Sequence, residues 1–170
     1  MKRSLCILLV LLLCLAGCIQ KDELQNPEAC YYLRQEATYV FGVSDGIISY
    51  EMKDNIYDSL DQFLNVYLSG PEAKDLRNPF PVSTQVVSAT EADGVLFLVL
   101  TDNFASLSGM GLTLASACLA KTCFDATSCS AVRISTESMQ LDDSPFLLID
   151  KDTFSFFDES TPIAATTLPN

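Results

Sequence analysis

SLDQFLNVYLSGPEAKDLRNPFPVSTQVVSATEADGVLFLVLTDNF, residues 59–104, holds a helix, a proline-rich loop and a strand pair in one run. Leu60, Phe63, Leu64, Tyr67 and Leu68, with Ile56 ahead of them, recur at 3.6-residue spacing and line one helical face. Asp54 or Asn55 can cap this helix, Gly70 is placed for a left-handed C-terminal turn, and Pro71 blocks continuation. A loop with Pro79 and Pro81 follows. Gln85–Thr90 then alternates as a half-exposed strand, and Asp93-Gly94 turns the chain back. Val95–Leu100 is apolar at every position, which predicts a strand with both faces covered.

Working outward, Ala29–Arg34 reads as an aromatic-rich strand. Tyr39–Gly42 extends toward a hairpin, Asp45-Gly46 is a turn signal, and Ile47–Met52 is the returning strand. Beyond the opening run, Leu112–Phe124 is a helix of small and apolar residues. Leu112, Ala115, Leu119 and Cys123 share one side of it, small enough to sit close to a sheet. Ala131–Thr136 is a further strand. The order β-β-α-β-β-α-β predicts the α+β class: a single domain over residues 29–139, with two helices packed on one face of a mainly antiparallel sheet. The segment 140–158 brings an apolar stretch, Phe146–Ile149. It is expected to add an extra C-terminal strand covering the sheet beside Leu96, Leu98 and Leu100, the rival being an exposed docking patch. Residues 159–170 form a flexible tail.

At the other end, Lys2 and Arg3 precede an apolar segment, Leu5–Ala16, that closes in small residues. This is the pattern of a secretory signal, residues 1–17. About 20 apolar residues are needed to cross a membrane, so the segment is too short to span one. Leu15-Ala16-Gly17-Cys18 resembles the lipobox of bacterial lipoproteins. By that resemblance Cys18 takes a diacylglyceryl group on its sulfur and becomes the new N-terminus after cleavage. Acyl chains in pairs anchor stably where one chain is marginal. Residues 18–28 are then the lipidated cysteine and a polar linker of at most about 35 Å. The expected location is the extracytoplasmic face of the bacterial cell membrane.

The chain has no histidine. That excludes Ser-His-Asp and Cys-His catalysis, HExxH zinc sites and the usual imidazole metal ligands. Gly109-Met110-Gly111 begins a G-x-G pattern, but Leu114 stands where a third glycine belongs, so the start of a helix is the better reading. Carboxylates are abundant. Asp54, Asp58 and Asp61 fall near the first helix start, where negative charge complements the helix dipole. The pairs Asp142/Asp143 and Asp150/Asp152 fall in loops. A calcium site there lacks the glycine and terminal glutamate of an EF-hand loop, and solvated acidic surface is preferred. No catalytic, cofactor-binding or metal residue is assigned. Without Lys2 and Arg3 the tally is 8 basic against 22 acidic residues, a net charge of −14. Nucleic acid and anionic membrane surfaces are therefore repelled. Cys30, Cys118, Cys123 and Cys129 remain after Cys18. Cys123 and Cys129 flank a helix-to-strand turn and are the easiest disulfide pair, with buried free thiols an equal alternative.

The opening run also resembles the sporulation and spore germination domain called GerMN. Tyr67-Leu68-Ser69-Gly70-Pro71 matches the leucine-rich turn and Gly-Pro that end that family's first helix. Leu76, Pro81, Thr84 and Val86 match its proline loop and strand start, and Glu91–Phe104 matches its hairpin and apolar strand. LTLASACLAKTCFDATSCSAVRISTES, residues 112–138, follows its second helix and closing strand. The likeness covers about two thirds of the chain, from Cys30 to Met139. Three cysteines in and after the second helix, and the C-terminal extension, depart from the pattern. The resemblance implies a lipid-anchored, non-enzymatic scaffold or assembly factor with envelope or sporulation proteins as partners, compatible with homo-oligomerisation. A peptidoglycan- or glycan-binding module is the alternative, which calls for exposed aromatic rings along a groove.

Overall fold

The computed structural model describes residues 29–36, 39–40, 43–44, 47–53, 57–139 and 144–154. In it Ser59 is extended, its hydroxyl accepts the Gln62 N–H at 3.2 Å, and Gln62 Oε1 accepts the Asp58 N–H at 2.9 Å. This two-way cap satisfies donors that a helix start leaves open, and it begins α1, Leu60–Ser69. The cap is thus Ser59 rather than Asp54 or Asn55, which lie outside the described residues with Ile56. Asp58 consequently precedes the helix, while Asp61 occupies its first turn. Phe63, Leu64, Tyr67 and Leu68 are buried, the face that their spacing predicts. Gly70 ends the helix at φ 116°, ψ 174°, a positive-φ extended conformation instead of the expected left-handed turn.

Before α1, β1 (Ala29–Arg34) is followed by a two-stranded ribbon of β2 (Tyr39–Val40) and β3 (Val43–Ser44), and then by β4 (Ile48–Met52). β1 and β4 pair antiparallel with Tyr31 opposite Tyr50. The ribbon is separate from that pair, and the Asp45-Gly46 turn lies outside the described residues. After α1, β5 (Leu76–Arg77) joins the other edge of β1 through Leu33 and Arg34, giving a three-stranded sheet, β4-β1-β5.

β6 (Val86–Ala92) and β7 (Val95–Leu100) form the expected hairpin. Its turn residues Asp93 and Gly94 have φ 53° and 75°, the positive pair that a tight two-residue hairpin turn needs. A short helical turn, Phe104–Ser106, leads to α2, Gly109–Ala126, so Gly109-Met110-Gly111 opens a helix. β8 (Ala131–Ser135) then lies parallel to β7, and β9 (Leu147–Asp150) pairs antiparallel with β8. The C-terminal strand therefore extends the sheet edge, with Leu147 opposite Ile134 and Ile149 opposite Val132, instead of covering the Leu96–Leu98–Leu100 face.

The α+β class, with two helices and mainly antiparallel strands, is the class the chain adopts. Apart from the β2–β3 ribbon, its strands divide between two sheets, and the reason lies at Tyr31. Its N–H donates to Thr122 Oγ1 at 3.0 Å, and its C=O accepts the Tyr67 hydroxyl at 2.8 Å. Two side chains thus satisfy the β1 edge where a strand of the larger sheet would otherwise pair. α2 packs against both β1 and β8, and α1 against β6. Leu96, Leu98, Leu100, Val132 and Ile134 join Leu119, Cys123, Tyr32 and Phe63 in one core. The opposite face of β7 is only half covered. Val95, Phe97 and Val99 are half-buried there, and the Arg133 guanidinium lies 5.6 Å from the Phe97 ring centre and 3.9 Å from that of Phe146.

Candidate interaction surface

Thiol chemistry is closed off by burial. Cys30, Cys118, Cys123 and Cys129 are all buried free thiols, so the structure carries no Cys123–Cys129 disulfide. Burial pushes Cys30 and Cys118 up to about 12 and also raises Cys123 and Cys129. A nucleophilic cysteine needs the reverse, because the thiolate is the reactive form. Cys18 lies outside the described residues.

Asp150 and Asp102 serve local structure. Asp150 accepts the Asp152 N–H at 2.9 Å, which closes the turn after β9. Asp102 accepts the Ser138 N–H at 2.9 Å, and that bond holds its carboxyl below the ordinary range. Asp54, Asp142 and Asp143 lie outside the described residues. Among the described residues no group of three or more Cys, Asp or Glu side chains is arranged to hold a metal ion. A shallow, open depression of about 250 Å³ is lined by Arg34, Gln35, Glu36, Lys74 and Asp75. Its mixture of signs favours neither anion nor cation.

Two polar clusters escaped the sequence reading, because each joins residues far apart in the chain. In the first, Glu51 and Lys53 are 3.3 Å apart, with side chains only 11% and 5% exposed. Glu51 also accepts the N–H groups of Glu72 and Ala73, each at 3.0 Å, and Lys53 donates to the Gly70 carbonyl at 3.4 Å. The pair ties β4 to the end of α1 and neutralises both charges. In the second, the Tyr31 hydroxyl donates to Asp125 at 2.9 Å, and Lys121 holds the same carboxylate at 2.7 and 2.8 Å. Lys121 also lies 4.8 Å from the Tyr31 ring centre. Burial, and then the Asp125 hydrogen bond, raise the Tyr31 hydroxyl above its ordinary value, which suits a clamp rather than a proton donor.

The tyrosines are mostly spent on packing. Tyr32 and Tyr67 are fully buried with ring centres 5.1 Å apart, and Tyr57 stacks on Phe63 at 5.3 Å. Tyr50 differs. It is 56% exposed, rests on Tyr31 with ring centres 5.7 Å apart, and stands on β4 with Met52, also 56% exposed, while Ile47, just before the strand, is 42% exposed. Tyr50 and Met52 lie on one face of a sheet-edge strand whose acidic residue is already neutralised. The alternation of Ile48, Tyr50 and Met52 was visible in the sequence, but not that it points outward. Leu148 on β9 and Val87 on β6 are further exposed apolar residues, each at a separate sheet edge.

Among the described residues no helix is long and apolar enough to cross a membrane. Comparison with known protein families, with curated proteins and with solved structures finds no match.

Proposed function

We propose that this chain is a lipid-anchored, non-enzymatic protein of the bacterial cell envelope, a scaffold or assembly factor that works by contact with other proteins, in sporulation or spore germination. The anchor is Cys18, in its lipobox-like setting of Leu15-Ala16-Gly17. The sporulation setting rests on the resemblance of residues 30–139 to the GerMN domain. The order of the main elements, β1, β4, α1, β6, β7, α2 and β8, supports it.

The observation that carries the contact-based role is the β4 edge. A charge-neutralised strand presents Tyr50 and Met52 to solvent, while the described thiols are buried and Asp102, Asp125 and Asp150 hold turns and a clamp. Exposed apolar groups of this kind mark interaction sites. Among the described residues the glycan-binding alternative has one exposed ring, Tyr50, in place of a lined groove, so it has less support.

Cross-linking in intact envelopes, followed by mass spectrometry of the linked products, tests the reading. Recovery of one or a few proteins linked through residues 47–52 is expected. Turnover of an envelope substrate by the purified chain, or the absence of any protein–protein link at β4, would overturn it.

A further inference from the structure

A strand edge with open backbone groups invites further pairing, and folded proteins guard such edges with charge, bulges, proline or short length. Most edges among the described residues are guarded. β6 has a bulge between Val86 and Ser88 and carries Glu91. β9 has four residues and ends in Asp150, and β5 has two residues. β4 has none of these defences. Glu51, its sole charged residue, is held by Lys53 and by two backbone N–H groups.

The ladder with β1 fixes which backbone groups of β4 face outward. Arg34 N–H donates to Ile47 C=O at 2.8 Å, so residues 34 and 47 form a hydrogen-bonded pair. Bonded and non-bonded pairs alternate along an antiparallel ladder. Ser49 and Glu51 therefore direct their N–H and C=O groups toward β1, and Ile48, Tyr50 and Met52 direct theirs away from it. Among the described residues no strand pairs with that outer side.

We propose that β4 pairs with β4 of a second copy of this chain, antiparallel about a two-fold axis at Tyr50. Tyr50 then faces the second copy's Tyr50, Ile48 faces Met52, and Ser49 faces Glu51. Apolar side chains meet apolar ones, and all of Ile48–Met52 is paired. The neighbouring registers are worse. Centring on Ser49 leaves Glu51 and Met52 outside the paired span, and centring on Glu51 leaves Ile48 and Ser49 outside it. The resulting strand order, β5-β1-β4-β4-β1-β5, continues the small sheets into one. Both copies carry a net charge of −12, which opposes association. That repulsion is screened beyond about 8 Å at physiological ionic strength, so added salt strengthens the pair. This inference deepens the contact-based function proposed above and rests on it, with a second copy as the partner.

The test uses the full chain with Tyr50→Cys. Facing residues of a hydrogen-bonded pair have Cα atoms about 5.5 Å apart, within disulfide reach. Under mild oxidation Tyr50→Cys is expected to give a product of twice the 18.6 kDa chain mass, one that the parent chain and Ser49→Cys do not give. By light scattering, the parent is expected to approach twice its chain mass, and to come closer to it as salt is added. Tyr50→Lys, which sets two ammonium groups opposite each other, halves that mass, while its monomer keeps a cooperative thermal transition. A parent that stays monomeric at its solubility limit overturns the proposal, as does equal cross-linking by Ser49→Cys or a Tyr50→Lys chain that remains dimeric. A Tyr50→Cys adduct with a different protein also overturns it, while leaving the scaffold function standing.

Discussion

Gly70 sits at φ 116°, ψ 174°, backbone that side-chain-bearing residues avoid, and a Cβ there would meet Asn78 Nδ2 at 3.1 Å. Asn78 Nδ2 is occupied, since it donates to the Leu68 carbonyl at 2.9 Å and so closes the end of α1. Gly70→Ala is therefore expected to lower stability by about 1 to 3 kcal/mol, measured by denaturant unfolding. The Gly-Pro pair announced the helix end in the sequence, but the clash depends on an asparagine eight residues later. The buried thiols support a second expectation. Cys30 and Cys118 stand near 12, raised by burial from an ordinary value of 9.0. Their folded state holds its proton more tightly than the unfolded state. The stability that this contributes is complete below about pH 9 and drains away as the pH rises toward 12. Melting temperature against pH should accordingly fall across that window, with thiol reagents unreactive at neutral pH until the chain unfolds. A native chain whose thiols react at once would place these cysteines at the surface.

At the level of elements, α1 was legible because its signal is local. Phe63, Leu64, Tyr67 and Leu68 recur every three or four residues, and the chain buries that stripe. Leu68 is 2% exposed, so Leu68→Ala should cost about 2 to 5 kcal/mol in chemical unfolding. The start of α1 was misplaced because Asp54 and Asn55 are also good caps, and the reciprocal bonds between Ser59, Gln62 and Asp58 settled the choice. β1 was legible as a strand, but the closure of its edge was not. Tyr67→Phe removes the hydroxyl that satisfies the Tyr31 carbonyl and should lower stability by about 1 to 3 kcal/mol, although it deletes a single oxygen. A neutral outcome in thermal unfolding would mean that this carbonyl finds another donor.

For the whole molecule, charge and tether set the expected setting. Without residues 1–17 the net charge of −14 disfavours attraction to anionic lipid, which leaves the acyl group proposed for Cys18 to hold the proposed membrane position. Cys18→Ala should move the protein from the membrane to the soluble fraction on ultracentrifugation of cell extracts. Continued sedimentation with membranes would show that some other part of the chain does the holding. The extra C-terminal strand is a whole-molecule feature too. Its apolar run from Phe146 to Ile149 was plain, but the run itself does not distinguish a strand laid over a sheet face from one added to its edge.

Local periodicity and turn chemistry were enough to determine the succession of strands and helices, the α+β class, and the absence of imidazole chemistry, because each is written in residues a few positions apart. Tertiary structure alone decided that the strands outside the β2–β3 ribbon form two sheets, that the described thiols are buried and unlinked, and that among the described residues no strand pairs with the outer edge of β4. Those outcomes rest on contacts such as Tyr31 with Thr122, 91 residues away in the chain. Pairings at that separation compete with many alternatives of the same local character, and only simultaneous burial and hydrogen bonding across the folded chain selects among them.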